Sequence, residues 1–267
     1  MLIGFLLAVL GLIAGSFAGA LAWRLHEGLD FVRGRSQCPH CGHKLSPLEL
    51  IPIFSFLFLR GRCRACQAKI GAHYLVVELL GGLTFAGSYI YWPANLADHG
   101  QLVLFVTWLI VAVGLLALLV SDHLWMILPS KIIYSMLGVA AVGQLVYLIG
   151  YAPQKAHYAL LWGTSVLVAS GIFFVMHEAS KGQWIGFGDV RLGLVTGTIL
   201  ASPAKSFLMI FLASVLGVAY SLPHLLARRR TLNDRIPYGP FLIVSAALVL
   251  LFGGHLLDWY NQHLLHP

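Results

Sequence analysis

Eight apolar runs govern what this chain can become: residues 2–22, 74–92, 102–120, 132–149, 158–176, 192–201, 207–222 and 241–256. About 20 apolar residues in a helix cross a hydrocarbon core ~30 Å thick. Within that core a helix keeps its backbone N–H and C=O groups bonded inside its own segment. The runs therefore predict an all-α membrane protein with about eight transmembrane helices. The sixth run is short and glycine-rich, so its helix is expected to begin near Asp189. Composition agrees, since 59% of the residues are hydrophobic and 10% charged, a balance foreign to the surface of a water-exposed domain.

The polar segments set orientation. The first run ends at Trp23-Arg24, an interfacial aromatic followed by a charge, and no basic residue precedes it. That order disfavours a cleaved signal peptide and places the end of the run in the cytoplasm. Fifteen of the seventeen Lys and Arg then fall on the cytoplasmic side, with only Lys155 and Lys205 outside, as the positive-inside bias requires. Both chain termini are expected outside. The net charge of +7 is thus a matter of topology and, at Arg228-Arg229-Arg230, of contact with anionic lipid. A nucleic-acid surface would need basic residues gathered on one water-exposed face, so no nucleic acid is expected.

Residues 24–73 form the one long polar stretch and carry eight of the seventeen basic residues. All four cysteines lie there, in Cys38-Pro39-His40-Cys41 and Cys63-Arg64-Ala65-Cys66. Two C-x2-C pairs each grip one side of a tetrahedral ion, which predicts a small cytoplasmic zinc-binding domain between the first two transmembrane helices. Gly42 and Gln67 follow their pairs as in a zinc knuckle. Two disulfides or four free thiols are the competing readings, and against both stands the cytoplasmic charge signature, because thiols stay reduced there. Residues 51–59 are apolar but too short to span, and are expected to pack onto this domain or dip into the membrane interface.

Carboxylates are scarce. Of ten acidic residues, Asp122 ends one apolar run and Asp189 heads another, at the close of Gly186-Phe187-Gly188-Asp189. A carboxylate at a membrane boundary is costly and marks a functional site by default. Two such groups brought together cannot both ionise freely, so they share a proton, as in an aspartic protease. The glycines are expected to allow backbone conformations and a close approach that a side chain would block, so that a peptide lies against the turn of Gly186, Phe187 and Gly188. Taken alone, Asp189 is explained as well by capping a helix N-terminus, and Asp122 as an interfacial Asp. Glu78, about one turn inside its run, is expected to be a packing or loop-docking partner for an Arg such as Arg24 or Arg62.

Together these stretches resemble the bacterial type IV prepilin peptidases, membrane aspartyl proteases of the GxGD class, over nearly the whole chain. The likeness is carried by Gly15-Ser16-Phe17 before Arg24, the cysteine pairs, Glu49-Leu50-Ile51-Pro52 with Ser55, and Tyr74 with Glu78. It continues at Asp122 with Leu128-Pro129, at Gly186 to Asp189, and at Ile236-Pro237-Tyr238-Gly239-Pro240-Phe241. The resemblance implies an inner-membrane enzyme, catalytic at Asp122 and Asp189, that cuts the basic leader of type IV prepilins or type II secretion pseudopilins at the cytoplasmic face. It also implies a structural zinc at Cys38, Cys41, Cys63 and Cys66. Methylation of the new N-terminal residue from S-adenosylmethionine is implied as well, associated with the cysteine-bearing loop, and Glu49 is expected to take part.

The chain then divides into a first transmembrane helix (1–23), a zinc-binding domain (24–73) and a seven-helix protease domain (74–267). It departs from the family pattern at Gly19, at His73-Tyr74-Leu75, at Ser130 and at Arg191, none of them an aspartate. A peptidase without methyl transfer, a proton-coupled transporter and a zinc-bearing adaptor are the alternatives. The transporter predicts inverted repeats and midplane carboxylates, neither of which the sequence displays. The adaptor leaves the placement of the two aspartates unexplained.

Overall fold

The computed structural model describes residues 1–30, 34, 36–226 and 236–265, and among them it is all-helical apart from two isolated β-bridges. Arg33, Arg35, the Arg228-Arg229-Arg230 run and Arg235 lie outside the described residues. The helices are α1 (Leu2–His26), α2 (Phe54–Phe58), α3 (Ala72–Ile90), α4 (His99–Trp125), α5 (Ser130–Gly150), α6 (Lys155–Ala179), α7 (Phe187–Leu200), α8 (Pro203–Leu226) and α9 (Gly239–Tyr260). Six helices among the described residues, α1, α4, α5, α6, α8 and α9, are long and apolar enough to cross a membrane. The expected runs at 74–92 and 192–201 are present as α3 and α7, but neither is among those six.

The chain forms two compact units, Met1–Ile90 with Ala112–Leu124, and Tyr91–Val111 with Trp125–Pro267. In the first, α1 and α3 run antiparallel with their backbones touching. Gly11, Gly15, Ala18, Gly19 and Ala22 share the buried face of α1. A Cβ at Gly11 would fall 2.3 Å from the Gly81 carbonyl oxygen, and one at Gly15 only 2.4 Å from that of Val77. Small residues at helical spacing permit this approach, which in lipid supplies the dispersion contacts that hold helices together. α1 continues through Trp23 and Arg24, and the buried Arg24 donates from Nη2 to Ser36 Oγ at 3.2 Å.

The second unit is built around α7. Its 14 residues span about 21 Å, short of the ~30 Å hydrocarbon core, so its C-terminal carbonyls end among other helices and need donors there. Gln144 of α5 donates from Nε2 to the Thr198 carbonyl at 2.8 Å, and Ser165 of α6 to that of Gly197 at 2.8 Å. Ser170 of α6 reaches the Val190 carbonyl at 3.0 Å. Tyr158 in turn donates to Gln144 Oε1. α7 sits tightly on α6, where a Cβ at Gly193 would lie 2.5 Å from the Ala169 carbonyl oxygen.

Candidate functional site

The two cysteine pairs lie in nearly identical knuckles. In one, the Cys38 N–H donates to the His43 carbonyl and the Gly42 N–H to the Cys38 carbonyl, both at 2.9 Å. In the other, Cys63 donates to Ala68 at 2.9 Å and Gln67 to Cys63 at 3.0 Å. Bridges Gln37–Lys44 and Arg62–Lys69 close the two loops. Gly42 and Gln67 both take positive φ, +69° and +58°. Glycine does so without strain, whereas Gln67 bears a cost of about 1 kcal/mol.

The four Sγ atoms lie within 4.8 Å of one another, and Cys38 Sγ is 3.8 Å from Cys66 Sγ. Thiolates at ~2.3 Å from a common ion stand about 3.8 Å apart, so this donor set fits a tetrahedral ion such as zinc. The four thiols are free rather than bridged. Hydrogen bonds, first from the Cys66 backbone N–H, lower Cys63 to about 7. Cys41 is pushed up to about 12 despite a bond from the His43 backbone, by desolvation and by Cys66, Cys38 and Cys63. A dication held by all four would bind them as thiolates.

Beside the knuckles, a cavity of about 150 Å³ is lined by Ser16, Ala20, Trp23 and Arg24 of α1, by Cys38, Cys63, Glu49, Ser55 and Phe56, and by Tyr74 and Glu78 of α3. Glu49 closes a capping box, accepting from the Ser46 N–H at 2.8 Å through Oε2, which also lies 3.5 Å from His43 Nε2. The Ser46 backbone bond, with the Ser46 hydroxyl and His43, holds its carboxyl below the usual range. Its other oxygen, Oε1, is buried with no hydrogen-bond partner among the described residues. Glu78 docks a loop as expected, but its partner is a backbone group instead of an arginine: Oε2 accepts from the Ile53 N–H at 2.7 Å.

Asp122 belongs to the first unit and Asp189 to the second. Asp122 lies in the last turn of α4, 6% exposed, beside the buried Ser121. His73 of α3 is within electrostatic reach of the next residue, His123. Asp189 is 8% exposed in the first turn of α7, with Gly186 as the N-cap residue and its own N–H donating to the Gly186 carbonyl at 3.1 Å. The glycine-flanked stretch is thus a helix start. Gly186 has φ −71° and ψ 149°, ordinary extended backbone, and Gly188 packs close on Leu128, whose Cδ1 a Cβ there would meet at 3.0 Å. Neither glycine takes a positive φ; of the two expected reasons, backbone conformation and close approach, the second is the one seen, at Gly188.

Phe187 is partly exposed, with the Arg191 guanidinium 4.8 Å from its ring centroid and the His177 ring at 5.3 Å. Arg191 also donates to Ser130 Oγ. Two features escaped sequence reasoning. Tyr238 stands close enough to Asp189 to feel its charge, which no spacing announced. Gln144 anchors α7, and its signal was available as the one amide in the run 132–149.

Comparison with known proteins matches residues 9–92 to the Bacterial Peptidase A24 N-terminal domain and residues 109–222 to the Type IV leader peptidase family. A Bacillus subtilis (strain 168) protein named Prepilin leader peptidase/N-methyltransferase is 30% identical over 256 residues, covering 96% of both chains. One of the same name from Aeromonas hydrophila is 31% identical over 236 residues, 86% of this chain and 76% of its own. Another, from Pseudomonas aeruginosa, is 27% identical over 277 residues, 95% and 92% of the two chains. No solved structure matches.

Proposed function

The chain belongs to the type IV leader peptidase family, and from that premise we propose a bifunctional membrane enzyme. It removes the leader of type IV prepilins or type II secretion pseudopilins at the cytoplasmic membrane face and N-methylates the residue so exposed. The observation that carries the peptidase reading is that two aspartates are buried at helix ends in a chain of ten acidic residues. The third buried carboxylate among the described residues, Glu78, is engaged by the Ile53 amide.

Asp122 and Asp189 supply the catalytic carboxylates. One, ionised, takes a proton from water as the water oxygen attacks the scissile carbonyl; the other, protonated, donates to the developing oxyanion. The roles reverse as the amine leaves. Gly186, Phe187 and Gly188 receive the extended peptide beside Asp189. The membrane part comprises eight helices, the six long ones with α3 and α7, and both chain termini lie outside. By function the chain divides into a first transmembrane helix (1–23), a zinc-binding domain that serves methylation (24–73) and the protease domain (74–267).

Zinc at Cys38, Cys41, Cys63 and Cys66 is structural and locks the two knuckles together. Methylation takes place in the adjoining cavity, where S-adenosylmethionine, when bound, supplies an electrophilic methyl group. Glu49 Oε1, buried and unpartnered, is the acceptor available to hydrogen-bond donors on the cofactor. The decisive experiment incubates the purified protein with a synthetic prepilin and labelled S-adenosylmethionine and measures the mass of the product N-terminus. Loss of the leader together with gain of one methyl group is expected. An intact leader refutes the peptidase, and a cleaved but unmethylated product refutes the second activity.

A further inference from the structure

Three strongly exposed apolar side chains crowd onto one short element. Phe54, Leu57 and Phe58 of α2 are 71%, 61% and 90% exposed. Their depth follows from α1, a membrane-crossing helix whose interfacial aromatic is Trp23. α3 packs antiparallel on α1, and a Cβ on Gly15 would lie 2.8 Å from Glu78 Cα. Glu78 is therefore level with Gly15, eight residues and about 12 Å inside Trp23 along the helix. Glu78 in turn holds the Ile53 N–H at 2.7 Å, one side-chain length away, immediately before α2. Ser16 and Ala20 of α1 also share cavity walls with Ser55 and Phe56, so the loop tip lies alongside the interior of α1.

We propose that residues 51–59 are a re-entrant finger seated in the lipid leaflet on the side of the cysteine knuckles, with Phe54, Leu57 and Phe58 against acyl chains. Non-helical backbone at that depth must be satisfied by protein. Ile53, a β-branched residue at φ +63°, is the strained hinge of the finger. Its N–H is met by Glu78, and its carbonyl accepts from the Leu57 N–H at 3.0 Å. This accounts for a carboxylate inside an apolar helix without any part in chemistry. Arg60, Arg62 and Lys44 flank the finger and suit anionic headgroups. The finger anchors the cysteine-bearing loop to the membrane independently of the enzyme's activity.

The test uses the full chain in nanodiscs of phosphatidylglycerol and phosphatidylethanolamine, with photoreactive benzoylphenylalanine in place of Phe58 and, separately, of Ala65 on the exposed knuckle. Irradiation is expected to yield lipid adducts at position 58 and none at 65. Adducts at 58 that are only to protein reveal a polypeptide partner and overturn the proposal, as does equal behaviour at the two sites. Hydrogen exchange supplies a readout that needs no probe. Residues 53–58 of the wild type should exchange slowly in nanodiscs and remain slow in Glu78→Gln, which keeps an acceptor. In Glu78→Ala they should exchange about tenfold faster. Exchange in the wild type as fast as in an unstructured segment overturns the finger outright.

Discussion

The cysteine knuckles and helix α7 both hold polar backbone away from water, but over different distances along the chain. Within residues 37–44 and 62–69 the carbonyls are met by N–H groups four or five positions away, and one ion would suffice to join the two loops. The carbonyls at the end of α7 are met by side chains 32 and 54 residues distant, Ser165 and Gln144. The knuckle unit is therefore a local structure whose four thiols could hold a metal, whereas α7 depends on the packing of α5 and α6. Damage to one should leave the other standing.

The largest effect is expected at the aspartates. Asp122→Asn and Asp189→Asn should each lower leader cleavage by a factor on the order of 10³, since an amide neither shares a proton nor activates water. Methyl transfer to an already cleaved peptide should persist in both. Substantial cleavage by either purified variant would remove that residue from the catalytic pair.

Next comes the metal. Elemental analysis should find about one zinc per chain, and Cys38→Ser combined with Cys63→Ser should find none. That variant should lose methyl transfer by about a hundredfold through misplaced groups and lose exchange protection at 37–44 and 62–69. Protection in α7 should not change; if α7 loosens as well, the two regions are coupled and the contrast fails.

Glu49→Ala is a narrower probe of the same unit, expected to lower methyl transfer more than tenfold with cleavage near that of the wild type. Its cap also carries a pH signature. Because the folded carboxyl titrates below its ordinary value, the cap contributes fully above the unfolded pKa of ~4.3. That contribution is lost as pH falls through the lowered folded value, and the alanine variant should lack this dependence. Equal loss of both activities would mean that Glu49 merely supports the fold. The smallest effect belongs to Gln144→Leu, which strands the Thr198 and Ile199 carbonyls. About 1–2 kcal/mol of stability should be lost in detergent unfolding, with zinc content unchanged.

The chain's departures from the family pattern take on meaning in contacts. Arg191 and Ser130, 61 residues apart, are bonded to each other. Gly19 lies where a Cβ would meet Tyr74 Cδ1 at 3.2 Å, next to the altered His73. Read singly, each position looked like an isolated change; the pairing appears only when the helices are packed. The partner of Glu78 was likewise beyond sequence reasoning. A basic loop with eight Lys and Arg favours an arginine, and a backbone amide has no sequence signature.

By itself the sequence determined the helical class, the apolar segments, the two cysteine knuckles and the isolation of Asp122 and Asp189, because each rests on a period or spacing shorter than about one element. Segment hydrophobicity and C-x2-C chemistry act locally, so they survive without knowledge of neighbours. Tertiary structure alone decided that Gly188 makes room for Leu128, that Gln144 and Ser165 complete a helix too short for the bilayer, that Tyr238 lies within electrostatic reach of Asp189, and that Glu78 holds Ile53. Those roles depend on which backbone groups lack partners at the end of an element, and a group's need for a partner is set by what packs around it.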